Sequence, residues 1–169
     1  MIAPGIRDAN EADMTAILAI FNEVIATSTA VYMDAPTTLE ERVAWWRGRV
    51  NGGFPVIVTE DETGVTGFGS FGGFRDKPGY RFTVEHSVYV RNDRRGRGLG
   101  AALVAHLLDR ARAMGKHVMV GGVDAENVPS LQFHERLGFE RVAHFKQVGF
   151  KFGRWLDLVF LQRTLSQER

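Results

Sequence analysis

The residues best suited to chemistry sit between Val88 and Gly100: Val-Tyr-Val-Arg-Asn-Asp-Arg-Arg-Gly-Arg-Gly-Leu-Gly, with four arginines and three glycines. Alternating apolar residues up to Val90 read as the end of a strand. Apolar spacing from Leu99 to about Met114 reads as a helix. Small residues between them let backbone N–H groups turn toward one point, and the helix N-terminus adds partial positive charge there. Such a turn is a pocket for an anion, with pyrophosphate as the natural candidate. The plainer reading of the same residues is a basic surface turn closed by glycine, since short glycine motifs are common.

The rest of the composition narrows the chemistry. The chain has 169 residues, enough for one domain, 1–169, with its own core. It has no cysteine, which excludes a disulfide framework, a thiolate zinc site and a cysteine nucleophile. The five histidines lack metal-ligand spacing, so no metal is expected. Net charge is +1, so the arginines near position 95 are a local feature, and neither nucleic acid nor a membrane surface is an expected partner. Arg7, Asp8 and Glu11 precede any long apolar run, which does not read as a secretion signal. No stretch reaches the ~20 apolar residues of a membrane span. A cytoplasmic protein is the expectation.

The spacing predicts the elements that must hold this loop. Ile2 to Asp8 reads as a first strand, and Asn10 or Asp13 as the cap of a helix ending near Thr27. A second helix should begin after Thr37 or Thr38, with Glu40 and Glu41 in its first turn, and stop at Asn51-Gly52-Gly53. Pro55–Glu60 and Val65–Phe74 read as strands joined by a turn at Asp61–Gly64. Glycines at 67, 69, 72 and 73 mark the return strand for a bulge or a close approach by another group. A charged loop, Arg75–Gly79, leads to a strand over Tyr80–Val90. After the helix from Leu99, Gly115 serves as its stop. His117–Val123 is a strand, 129–137 a short helix begun by Pro129, and Phe139–Val148 with Leu156–Thr164 a final pair of strands. Trp45 and Trp46 cannot both face one core from a helix. The order β-α-α-β-β-β-α-β-α-β-β argues one mixed α/β domain.

With these elements in place, the chain resembles the GNAT superfamily of acyl-CoA-dependent N-acetyltransferases. The superfamily's acyl-CoA motif matches Arg95-Gly96-Arg97-Gly98-Leu99-Gly100, between a strand and a helix. Asn127, Ser130 and Leu137-Gly138-Phe139 match a second signature. Thr83–Val90 and Gly149–Trp155 resemble a narrower branch that includes phosphinothricin, methionine sulfoximine and methionine sulfone acetyltransferases. The herbicide-resistance members of that branch carry His where Phe152 stands here. The resemblance implies a GNAT fold, with a mixed central sheet of about seven strands flanked by about four helices. It also implies acetyl-CoA as co-substrate, a small amino-acid-like acceptor and a homodimer.

The resemblance further assigns roles. Arg95 to Ala101 would hold the pyrophosphate, the backbone of Val88, Tyr89 and Val90 would pair with the pantetheine arm, and Asn127 would contact the cofactor. Glu85 is the candidate base for the acceptor amine, with a solvated strand carboxylate as its plain alternative. In a regular strand Glu85, Ser87 and Tyr89 share one face and His86 lies on the other, as a relay or a hydrogen-bonded core histidine. Arg75, Asp76 and Lys77 flank the acceptor, or form an ordinary charged loop. His134 occupies the position where many members place a tyrosine acid. It is a candidate donor to the leaving thiolate, or a packing residue. Phe150, Phe152 and Trp155 would line a dimer seam or the substrate mouth, or simply pack. Rival functions are acetylation of a protein N-terminus or a polyamine, and a non-catalytic acyl-CoA sensor.

Overall fold

A computed structural model describes residues 5–165 of the chain. The strands are β1 (Gly5–Asp8), β2 (Val56–Asp61), β3 (Gly64–Gly73), β4 (Thr83–Val90), β5 (Val118–Asp124), β6 (Glu140–Lys151) and β7 (Arg154–Thr164). The helices are α1 (Met14–Thr27), α2 (Leu39–Asn51), α3 (Leu99–Ala113) and α4 (Val128–Arg136). The strands form one sheet in the order β1-β2-β3-β4-β5-β7-β6, mixed because β4 and β5 run parallel while the β1–β2, β2–β3, β5–β7 and β6–β7 pairs are antiparallel. The expected element order and class are those observed. Of the first strand expected over Ile2–Asp8, the residues before Gly5 lie outside the described residues.

The chain divides into two compact units, one from 5–23, 37–72 and 86–110, the other from 24–36, 73–85 and 111–165. In the first, Asn10 accepts from Ala12 N at 2.9 Å, and Asp13 returns the favour by accepting from Asn10 N at 2.8 Å. This capping box opens the turn into α1. Thr38 and Glu41 do the same for α2, and Gly52 closes it. Val56, Ile57 and Val58 are buried, and eight successive residues of β3, Val65–Gly72, are buried too. The glycines of β3 explain how. A Cβ at Gly69 would lie 3.1 Å from both Leu107 and Val88, and one at Gly67 would lie 3.0 Å from the Tyr89 carbonyl oxygen. At Gly72 the Arg49 guanidinium occupies the side-chain position itself. The close approach read from the sequence is therefore real at three positions, and a bulge at Thr59/Glu60 accompanies it. Trp45 and Trp46 do part company: Trp45 meets Phe68 edge-on at 6.2 Å, while Trp46 Nε1 donates to Ala9 O at 3.3 Å.

In the second unit β5 pairs with β7 over seven residues, and Leu131, Phe139, Leu156 and Leu161 fill the core. Three boundaries differ from expectation by two residues or more. β4 begins at Thr83, not Tyr80, because Pro78 fixes the first position of a tight turn in which Tyr80 N donates to Lys77 O at 2.9 Å. The last two strands do not stop at Val148 and Leu156 but continue to Lys151 and Arg154. They meet in a two-residue turn at Phe152-Gly153, with φ of 50° and 73°. Positive φ at both central residues suits a tight hairpin, but a phenylalanine there gives no turn signal in sequence.

The Arg7 guanidinium bonds Asp13 at 2.7 and 2.9 Å and, helped by the Asn10 N–H, holds its carboxyl below the usual carboxylate range. A depressed folded-state value stabilises the fold above the ordinary carboxylate pKa and loses that contribution as pH falls through the lower value. Asp13→Asn should therefore destabilise the protein by about 1 kcal/mol at neutral pH, a typical loss for a cap. The difference from wild type should shrink in urea titrations taken progressively below pH 4. A gap that stays constant with pH would contradict this account.

Candidate active site

The glycine loop divides its arginines into two kinds. Arg91 bonds Asp93 at 2.6 Å and Thr63 at 2.8 Å, and Arg94 bonds Asp61 at 2.8 Å. The Thr63 hydroxyl and Arg94 together hold the Asp61 carboxyl well below its ordinary value. These two arginines anchor the loop to the β2–β3 turn. Arg95 and Arg97 are exposed, and Arg97 has no ion pair among the described residues. Gly96 and Gly98 have φ of 74° and 80°, and a Cβ at either would meet nothing within 4 Å. The first helical bond of α3 runs from Ala102 N to Gly98 O at 3.0 Å. The N–H groups of Leu99, Gly100 and Ala101 precede it and have no partner inside the helix. Open space, three helix-end donors and the exposed guanidinium groups of Arg95, which donates through Nε to Val90 O at 3.4 Å, and Arg97 fit a diphosphate.

β4 leads into this loop, and its alternation is regular. Val88 lies toward Leu107 of α3 across Gly69, while Tyr89 packs on Phe21 at 5.6 Å and Phe68 at 5.3 Å. The Tyr89 ring is thus committed to packing, and what Tyr89 leaves to a ligand is its backbone. The parallel ladder with β5 runs from Thr83↔Val118 to Glu85↔Val120, and Ser87 to Val90 lie past its last pair. His86 is buried at 7% exposure and faces away from Glu85.

The second unit holds Glu85 and the charged loop. Glu85 Oε1 lies 3.4 Å from where a Cβ on Gly122 would be, with Leu158 and Phe160 equally near. Gly122 itself is exposed, so the space beside the carboxylate is open. Phe74 meets Phe160 and Tyr80 edge-on, each at 6.0 Å, and Phe145 meets Phe160 at 5.6 Å. The Arg75 guanidinium stands 5.1 Å from the Phe74 ring centre. Asp76 and Lys77 are exposed beside it. This unit therefore sets a carboxylate, an aromatic wall and a guanidinium on neighbouring elements. Sequence reasoning named Glu85 and Arg75 but not Gly122 or Phe160. The paired glycines of β5, Gly121-Gly122, were the available signal, since glycine inside a valine-rich strand marks a close approach.

His134 and Asn127 are engaged locally. His134 Nδ1 lies 2.7 Å from Ser130 O, and the ring sits edge-on between Phe133 and Phe139 at 5.3 and 5.4 Å. A carbonyl accepts only, so Nδ1 carries the proton of the neutral ring. Burial also pushes its pKa below the ordinary histidine value. The Asn127 side chain caps α4 by accepting from Ser130 N at 3.2 Å, and its backbone N–H donates to Asp124 O at 2.9 Å. Among the described residues no group of three His, Asp or Glu is placed to hold a metal ion, and no helix is long and apolar enough to cross a membrane.

Comparison with known proteins identifies the family. The family model described as "Acetyltransferase (GNAT) family" matches residues 17–139. The chain is 47% identical to the L-methionine sulfoximine/L-methionine sulfone acetyltransferase of Pseudomonas paraeruginosa, over 99% of this chain and 98% of that one. It is 34% identical to the phosphinothricin N-acetyltransferase of Alcaligenes faecalis, over 95% and 82% of the two chains. A Salmonella typhimurium putative acetyltransferase solved with acetyl-CoA superposes with a TM-score of 0.93 at 45% identity, covering 98% of this chain and 96% of that one. The chain belongs to the GNAT acetyltransferase family and is an N-acetyltransferase with acetyl-CoA as its co-substrate.

Proposed function

We propose that the protein acetylates the α-amine of a small amino-acid analogue of the methionine sulfoximine or methionine sulfone type, by direct transfer in a ternary complex. The observation that carries this is Glu85 beside the open face of Gly122, with the Phe74–Phe160 pair and Arg75 in the same unit. An aromatic wall suits a linear, sulfur-bearing side chain. Arg75, with Lys77 next to it, suits a carboxylate or an oxidised sulfur group. The relatives named for such substrates support the reading. Phe152, where herbicide-resistance members carry His, sets phosphinothricin lower among the acceptors.

Acetyl-CoA supplies the acetyl group as a thioester. Arg95, Gly96, Arg97, Gly98, Leu99, Gly100 and Ala101 hold its diphosphate, and the backbone of Val88–Val90 receives the arm that carries the thioester. An N–H of that strand stabilises the oxyanion as the amine nitrogen bonds the carbonyl carbon. An α-amine with a pKa of roughly 8 is largely protonated at neutral pH, so Glu85 takes its proton. The carbon–sulfur bond then breaks. His134 could protonate the thiolate through Nε2 only as imidazolium, and its burial works against that state, so we assign this proton to solvent. Val148, Phe150, Phe152 and Trp155 are exposed on the β6–β7 hairpin, with Phe150 and Trp155 ring centres 5.0 Å apart. We assign that apolar face to a second copy of the chain, in a cytoplasmic homodimer.

The direct test is release of free thiol from acetyl-CoA with a panel of amino acids, sulfoximines, sulfones and polyamines. Turnover is expected with the sulfoximine and sulfone. Turnover with polyamines alone would overturn the acceptor assignment. Glu85→Gln should lower kcat/KM most below about pH 8, where the amine is protonated, and the deficit should narrow above pH 9. Parallel pH profiles for variant and wild type would remove Glu85 as base. Gly98→Val forces a β-branched residue to φ of 80°, at a cost of about 1–3 kcal/mol, and should raise the KM for acetyl-CoA at least tenfold while leaving the acceptor KM near wild type.

A further inference from the structure

Lys151, the last residue of β6, is 1% exposed, and among the described residues its ammonium forms no ion pair with a carboxylate. Its Nζ instead donates to three backbone carbonyls: Ile25 O at 2.7 Å, Ser28 O at 2.7 Å and Val31 O at 2.8 Å. An ammonium has three donors, so all are used. Ile25 lies in the last turn of α1, where a cation is favourable. The Phe152 ring, 4.9 Å away in the hairpin turn, lies against the same ammonium. Burial pushes the Lys151 pKa down, partly opposed by Asp34.

The segment that follows α1, residues 28–36, is tied down at two further points. Thr29 bonds the Asp124 carboxylate. The Tyr32 hydroxyl donates to Asp157 O at 2.9 Å, and its ring fills the space over Gly149, where a Cβ would lie 2.4 Å from it. Asp124 and Gly122 are two residues apart on β5, so they share a face, roughly 7 Å apart along the strand. Glu85 Oε1 is the group beside Gly122.

We infer that Lys151 is a positioning residue for acetyl transfer: it fixes the 28–32 segment beside the Glu85 carboxylate, and so shapes the acceptor side of the site without touching the reactants. The inference rests on the assignment of Glu85 to the acceptor amine. Lys151→Met keeps the aliphatic stem and removes all three donors. It should lower kcat/KM for the acceptor by tenfold to about a hundredfold, the order expected of a small misplacement, while the KM for acetyl-CoA stays within about twofold. Amide deuterium exchange over 28–36 should rise, with α3 unchanged. Thr29→Val, which frees the segment at its other tie, should raise the acceptor KM in the same direction and serves if Lys151→Met fails to fold. A lower Tm with both KM values and the exchange of 28–36 unchanged would overturn the inference, as would an equal rise in both KM values. The exchange measurement needs no acceptor. It decides the anchoring even if the wild-type protein acetylates none of the acceptors above, an outcome that would count against the assigned substrate instead.

Discussion

The turn from β4 into α3 depends on two backbone angles. At Gly96 and Gly98 the chain holds φ of 74° and 80°, values that side-chain-bearing residues adopt only with strain. Those angles turn the chain from β4 into α3 within a few residues, with open space around Gly96 and Gly98, and the first N–H groups of α3 have no partner inside the helix. No charged side chain could do this work as well, because a backbone donor is fixed by the helix behind it and loses no rotamer freedom on binding. The rest of the first unit serves to hold that turn still. Arg94 and Arg91 tie it to Asp61, Thr63 and Asp93, while Leu103 and Leu107 set α3 against a strand whose glycines let them come close.

The glycines of β3 are therefore part of the same device. A helix can sit so near a sheet only where the sheet lacks side chains, and Gly67 and Gly69 supply that gap beneath Leu103 and Leu107. Gly72, on the opposite face of β3, makes the corresponding room for Arg49 of α2. Weak strand formers by themselves, these residues are tolerated because β3 is buried along its length between β2 and β4. Local propensity is overridden where packing gains more.

Much of this was legible in the sequence. The glycine loop and the helix stops follow from local chemistry within one stretch of chain, which also narrows each cap to two residues, Asn10 or Asp13 and Thr37 or Thr38; the structure selects Asn10 and Thr38. The face occupied by Glu85 followed from strict alternation in β4. Other features were hidden because they depend on residues far apart in the chain. Four arginines in the loop look alike in sequence, and only the positions of Asp61 and Thr63, some thirty residues earlier, separate the anchors Arg91 and Arg94 from the exposed Arg95 and Arg97. Phe152 disguised a tight turn. Arg42 of α2 is buried, with its guanidinium 4.1 Å from the Phe21 ring centre and 4.5 Å from that of Trp45, partners that lie on another helix or nearby on its own. Aromatic faces offset part of the cost of burying such a cation.

Lys151 meets the same cost by a different route. A buried ammonium needs three acceptors, and a carboxylate would fill at most part of that need while adding its own desolvation. Backbone carbonyls are better suited: helix geometry leaves that of Ile25, in the last turn of α1, without a partner inside the helix, and Ser28 and Val31 add two more from the segment beyond. A single side chain thereby satisfies three backbone groups that water would otherwise have to reach. The reciprocal consequence is rigidity: the segment cannot move away without leaving the ammonium bare inside the protein. A methionine there would pack well but would hold nothing. The charge, costly to bury, is what ties this part of the chain in place.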